Sequence, residues 1–326
     1  MSKVFLIIDC GTTNLRVTLL DAQKNVLDTV KADGGVKHTA IDGHNGRLRT
    51  LLRESIETVL TRNGCTASDV ERCVASGMIS SNMGLVEIPH LPAPVSFETL
   101  RAAVREETFP DVAPFPIAFI PGVRNFAGAG TLDNFSGMDM MRGEETEAFG
   151  LWQLLKPEGA AMFVLPGSHN KFVLMDENGA IQGCMTSISG ELLDAVTHGT
   201  ILADSVARSF VSAENYDSRM AKEGAWECAH SGLGRAAFAG RILQTLGKQD
   251  APAIQSYLLG ATLALDVQAM QAFAKDCDAR VYVAGKAPVQ QAMCDVLAAM
   301  GIEDAQPGDP AISARMGVEG AIALGF

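Results

Sequence analysis

Cysteine pairs at metal-ligand spacing are missing from this 326-residue sequence: Cys10, Cys65, Cys73, Cys184, Cys228, Cys277 and Cys294 are scattered, odd in number and form no CxxC. A disulfide framework and a thiolate zinc site are therefore not expected, and a reducing, cytoplasmic setting is. The six histidines form no HExxH pair either. Cations are outnumbered, with 26 Lys and Arg against 38 Asp and Glu and a net charge of -12. Nucleic acid is thus not the expected partner, because no excess of cations can neutralise its phosphates. A small anionic substrate stays compatible, since a few local cations reverse the sign inside a pocket. No apolar run reaches the roughly 18 residues that span a bilayer, so no membrane partner is expected. Val4–Ile8 is short and stops at Asp9, which reads as a buried strand and not as a signal peptide.

Several enzyme signatures are absent too. Gly247-Lys248 runs into Gln249, and no upstream glycine stands at Walker spacing. Gly232-Leu233-Gly234 follows no strand, and no GxSxG elbow occurs.

What is present is a soluble composition, 47% hydrophobic and 20% charged, on a chain long enough for two domains. Val4–Ile8, Leu15–Leu20 and Asn25–Val30 read as a strand meander, followed by an amphipathic helix through Leu48, Leu52, Ile56 and Val59. Cys73–Ser76 and Ile117–Ile120 read as further strands. Past a helix running from near Gly143 to Leu155 the meander plan returns, in Ala161–Leu165, Lys171–Met175 and Ala180–Thr186. A helical block, the strand Val281–Ala284 and helices over Pro288–Met300 and Pro310–Leu324 complete the pattern. The repeated plan predicts an N-terminal domain over 1–142 and a C-terminal domain over 143–326, with the helix at about 310–326 packing back on the first.

Three segments carry chemistry. Asp9-Cys10-Gly11-Thr12-Thr13-Asn14-Leu15-Arg16 lies between two apolar strands. The glycine permits a tight turn, the threonines offer hydroxyls and N–H groups to a phosphate, and Asp9 suits Mg²⁺. A hairpin turn capped by its own Asp is the plainer alternative. Pro166-Gly167-Ser168-His169-Asn170-Lys171 holds the same place in the second half, with Gly167 and Ser168 for phosphate oxygens and Lys171 as a point charge. A polar hairpin explains it equally well in isolation. Met141-Arg142-Gly143-Glu144-Glu145-Thr146-Glu147 opens a helix, where acids suit the dipole in any protein. Arg142 and Gly143 just ahead of them also fit a catalytic carboxylate with Arg142 beside it.

Together with Gly77-Met-Ile-Ser-Ser-Asn82, Pro121-Gly-Val-Arg124 and Gly190-Glu-Leu192, these blocks resemble the 2-dehydro-3-deoxygalactonokinase family in order and separation. Val283-Ala-Gly285 and Gly308-Asp-Pro310 extend the resemblance over nearly the whole chain. It implies an α/β fold of two actin-like (ribonuclease H-like) domains around a central cleft. It also implies transfer of the ATP γ-phosphoryl group to 2-dehydro-3-deoxy-D-galactonate, giving the 6-phosphate, in galactonate catabolism. Gly11, Thr12, Thr13, Gly167, Ser168, Lys171 and Gly285 then fall to the nucleotide, and Asp9 to Mg²⁺. Glu145 or Glu144 becomes the base, Glu145 being preferred because Glu144 stands nearer the helix start, where capping is commoner. Asn14, Arg16, Ser81, Asn82, Arg124, Arg142 and Glu191 are the substrate candidates. The chain departs from the family's pattern at Cys10 and Phe172, where Trp is usual, at Ser168 for Thr, and at Lys286 after the adenosine-type glycine. A phosphohydrolase on the same fold and a nucleotide-binding regulator without catalysis are the rival functions, and a homodimer is left open.

Overall fold

In the computed structural model, which describes residues 3–275 and 277–326, the opening apolar run becomes the centre of a sheet. Strands β1 (Val4–Cys10), β2 (Asn14–Leu20) and β3 (Val26–Asp33) form the antiparallel meander, and β4 (Val70–Gly77) joins β1 in parallel. Between them lie the short helix α1 (Lys37–Asp42) and the longer α2 (Gly46–Arg62). Leu48, Leu52, Ile56 and Val59 recur near helical spacing and bury against Leu6, Ile8, Val17 and Leu19 of the sheet.

The proline-punctuated stretch holds more structure than its composition suggests. It forms β5 (Leu91–Pro92), α3 (Phe97–Ala102), β6 (Arg105–Glu107) and β7 (Ile117–Phe119). The first sheet has the order β3-β2-β1-β4-β7-β6. Strands β8 (Val123–Arg124) and β9 (Met140–Met141) make a small separate sheet with β5, and α4 (Glu144–Leu155) follows.

The plan then repeats. Strands β10 (Ala161–Leu165), β11 (Asn170–Met175) and β12 (Ile181–Ser187) form a second antiparallel meander. Helices α5 (Ser189–Gly199), α6 (Ser218–Ser231), α7 (Leu233–Thr245) and α8 (Ala251–Phe273) come next. After them stand β13 (Arg280–Val283), α9 (Val289–Ala299), β14 (Gln306–Pro307) and α10 (Pro310–Gly325). The second sheet reads β12-β11-β10-β13-β14, strand for strand the order of β3-β2-β1-β4-β7. Its core joins Met162, Val164 and Phe172 to Leu259, Leu263 and Val267 of α8.

By backbone contacts the chain divides into two units. The first holds the residues up to Lys156 with Gly179–Gly183 and Arg315–Phe326, and the second holds Pro157–Asn178 and Cys184–Ala314. Helix α4 thus lies in the first unit, past the 142/143 division read from the sequence. The reason is a backbone-to-backbone crossing with α10. A Cβ on Gly150 would stand 1.8 Å from the Met316 carbonyl, and one on Gly320 1.8 Å from that of Thr146. Only glycine lets the two helices approach so closely. Gly224 and Gly260 make the same kind of crossing between α6 and α8 in the second unit.

Candidate active site

In the first unit the chemistry gathers where β1 and β4 end. Asp9 is opposite Arg16 across the hairpin and beside Ser76 in the parallel register. Glycines draw α4 onto this point. A Cβ on Gly77 would meet the Cys10 carbonyl at 2.6 Å, and one on Gly143 the Gly77 Cα at 3.2 Å. Gly143 sits at φ +117° and Gly77 at +85°, conformations that L side chains rarely adopt. The start of α4 therefore rests on the carboxyl ends of both strands.

The turn after β1 is braced in the same way. The Gly11 N–H donates to the Asn14 carbonyl at 2.9 Å, while the Gly11 and Thr12 carbonyls accept the N–H groups of Val36 and Lys37. Gly35 fits between them because its missing Cβ would come within 2.2 Å of the Gly11 carbonyl. Thr12, Thr13 and Asn14 are left exposed.

Asp9 and Arg16 pair at 2.9 Å, each about half exposed, 47% and 53%. Surrounding protein pushes the Asp9 carboxyl up, Arg16 holds it down, and Glu144 adds an upward push. The Asp9 oxygens fit a hard divalent cation in kind, since Mg²⁺ prefers oxygen, keeps several waters and needs few carboxylates. Among the described residues no three His, Cys, Asp or Glu side chains converge into a protein cage. A single carboxylate shared with water and phosphate is the arrangement that suits this chemistry.

The acids of α4 divide by burial. Glu145 is wholly buried, and both its oxygens accept the Gly143 N–H, at 2.9 and 2.8 Å. Burial first, then the Glu144 charge, raises its carboxyl to about 7. Glu144 is partly exposed and accepts the Arg142 N–H at 3.0 Å through Oε2. Both therefore take a donor from the helix start, the role that the sequence reading reserved for Glu144. Glu147 gains its interest only in the fold, where burial and the charges of Asp9, Glu144 and Glu145 raise it to about 8. Its signal was its spacing, because i and i+3 share a helix face and Glu147 follows Glu144 by three.

These raised values set a pH dependence. Folded protein holds protons on Glu145 and Glu147 above the usual 4.5, so stability falls as pH rises from there to about 7–8. The melting temperature is expected to decline between pH 5 and 8, and to decline less in Glu145→Gln. Superimposable profiles for the two proteins would refute the raised Glu145.

The arginines are largely engaged. Arg142 donates to the Ser80 carbonyl and hydroxyl at 2.7 Å each, to the Ile88 carbonyl at 2.8 Å, and pairs with His90 Nδ1 at 3.1 Å. It fastens the segment after β4 to the start of α4. Ser81 is buried on the Met78 carbonyl, while Asn82 is exposed. Arg124 donates from Nη2 to the Ala127 carbonyl at 2.7 Å, but its Nε is buried without a partner among the described residues.

The second unit carries the other turn. Gly167, Ser168 and His169 are exposed, and the Gly167 N–H donates to Asn170 Oδ1 at 2.8 Å. Gly190 plays the part of Gly35, since its Cβ would stand 2.3 Å from the Gly167 carbonyl. Glu191 pairs with His169 at 2.7 Å, and its own N–H reaches the Ser168 carbonyl. Lys171 is buried, with Nζ donating to Thr186 Oγ1 on β12. A cavity of about 470 Å³ opens beside this turn, lined by Gly167, Ser168, Glu191, Phe210, Leu258 and Pro288 among others. Gly285, at φ +102°, lies three residues before Pro288 and donates to Ser313 Oγ at 3.0 Å.

The family model described as 2-keto-3-deoxy-galactonokinase matches residues 9–317. A 2-dehydro-3-deoxygalactonokinase of Escherichia coli strain K12 is 25% identical over 320 residues, 94% of this chain and 97% of its own. A solved Sinorhizobium meliloti structure named for the same activity shares 20% identity, covers 97% of each chain and superposes with a TM-score of 0.76. Component A of (R)-2-hydroxyglutaryl-CoA dehydratase from Acidaminococcus fermentans, at 13% identity, covers 99% of this chain and 97% of its own with a TM-score of 0.50. The fold is actin-like, with two sheets of one strand order.

Proposed function

The chain belongs to the 2-keto-3-deoxy-galactonokinase family, and on that premise we propose that it transfers the ATP γ-phosphoryl group to the 6-hydroxyl of 2-dehydro-3-deoxy-D-galactonate. The family match over residues 9–317 carries this reading, because it spans both glycine turns and the acidic start of α4.

Phosphoryl transfer asks mainly for positioning and charge neutralisation. In the first unit Asp9 would hold Mg²⁺ with water, which when bound offsets the charge of the transferring phosphate. Thr12 and Thr13 present their exposed hydroxyls to phosphate oxygens. Glu144, the less buried of the adjacent pair, takes the proton of the reacting hydroxyl. Arg124 and Arg16 are the cations for the substrate carboxylate. Arg142 and Ser81 shape the pocket through the segment they fasten. In the second unit Gly167 and Ser168 receive phosphate, and the adjoining cavity receives the nucleoside, with Gly285 three residues before its Pro288. All seven cysteines are free thiols, in keeping with a cytoplasmic setting.

A coupled assay of ATP turnover over keto-deoxy aldonates, aldonates and neutral hexoses tests the reading. Turnover is expected with 2-keto-3-deoxygalactonate, and weaker turnover with its gluconate epimer. Equal or faster use of a neutral hexose overturns the substrate assignment, and turnover without any acceptor favours a phosphohydrolase.

A further inference from the structure

Asp266 lies in the middle of α8 with 1% of its surface exposed. An apolar residue would fill that place without the cost of burying a charge. Its Oδ2 accepts from Ser189 Oγ and, at 2.7 Å, from Asn170 Nδ2. Ser189 and Asn170 are themselves buried, at 3% and 2% exposed, and Asn170 Nδ2 also reaches Ser189 Oγ at 2.9 Å. Oδ1 of Asp266 has no partner among the described residues. Burial pushes the carboxyl up, and hydrogen bonds from Ser187, Ser189 and Asn170 hold it down, with Ser187 Oγ also donating to Ser189 Oγ at 3.1 Å.

A carboxylate can only accept, whereas an amide carries a donor end and an acceptor end of nearly equal shape. Asp266 therefore decides which way Asn170 faces: its NH₂ must turn to the carboxylate, and its oxygen to the opposite side. There the oxygen accepts the Gly167 N–H at 2.8 Å. With the amide reversed, NH₂ would confront N–H and the turn would lose that hydrogen bond. Gly190, next to Ser189 at the start of α5, closes on the same turn against the Gly167 carbonyl. The buried network thus fixes the Gly167 N–H, and the close approach of Gly190 confines its carbonyl.

We propose that Asp266 is a positioning residue for the phosphate turn of the second unit: by orienting the Asn170 amide it aims the Gly167 backbone and keeps Ser168 presented to the nucleotide. The inference rests on the nucleotide reading of that turn.

The test compares wild type, Asp266→Asn, Asn170→Ala and the double variant, with KM measured separately for ATP and for the keto-deoxy aldonate. Asp266→Asn is expected to raise the ATP KM about tenfold, the size of a lost charge-assisted hydrogen bond, with the sugar-acid KM within about twofold of wild type. The double variant should be no worse than Asn170→Ala alone, since both substitutions cut one chain of contacts. An unchanged ATP KM in Asp266→Asn, a parallel rise in both KM values, or effects that multiply independently overturns the proposal. Should Asp266→Asn not fold, Asn170→Ser decides: a rise confined to the ATP KM upholds the relay, and an unchanged one overturns it. A wild type that does not use ATP removes the nucleotide reading and the inference together, whereas normal wild-type kinetics with an unaffected variant removes the inference alone.

Discussion

Glu144→Gln is expected to lower turnover by about two to four orders of magnitude, the range of a lost general base, with a melting temperature close to wild type. Glu144 is partly exposed at the carboxyl ends of β1 and β4, and its charge is felt by Asp9. It accepts one backbone N–H through Oε2, which orients the side chain without enclosing it. Glu145 differs in each respect, being wholly buried with both oxygens on the Gly143 N–H. Glu145→Gln should keep most of its rate and change chiefly the stability profile with pH. A reversal, with Glu145→Gln losing the rate and Glu144→Gln keeping it, would return the role to the residue that the sequence alone preferred. If both variants stay active, Asp139 is the next acid to replace.

Asp9→Asn should cut kcat at least about a hundredfold, because neutralising the transferring group is worth several kcal/mol. The amide is isosteric, so the β1–β2 hairpin and its register with Arg16 remain. The loss should be accompanied by a higher Mg²⁺ requirement, read from a titration of rate against Mg²⁺. Removing Asp9 also frees Arg16 from its ion pair, so the sugar-acid KM reports how far Arg16 serves the substrate. A near-normal kcat would make Asp9 a turn residue only.

Local pattern carried much of the fold. The two apolar runs ahead of glycine turns, Val4–Ile8 and Ala161–Leu165, stand in the strands Val4–Cys10 and Ala161–Leu165, and the helix expected near Gly143 begins at Glu144. What escaped was set by distant partners. Nothing near Arg142 in sequence announces that Ser80, Ile88 and His90 would take its guanidinium, since those partners lie 52 to 62 residues away. Lys171 suits a phosphate by sequence, but in the fold it is buried and its Nζ donates to Thr186. Gly35 and Gly190 drew little notice because a glycine's importance lies in the backbone it touches, here turns 24 and 23 residues earlier. The short strands β5, β8 and β9 are too brief for any period to show.

The last twelve residues, Arg315–Phe326, belong to the unit that begins the chain. Phe326 lies edge-on to Phe5 with ring centroids 5.0 Å apart, and a Cβ on Gly325 would strike Val74 at 2.4 Å. During synthesis, therefore, the first sheet emerges from the ribosome long before the helix that seals it. A nascent chain must carry that open apolar face until Arg315–Phe326 has been made, by which time every residue of the second unit has already been synthesised. A stop codon shortly before Arg315 would accordingly damage the start of the protein more than its middle.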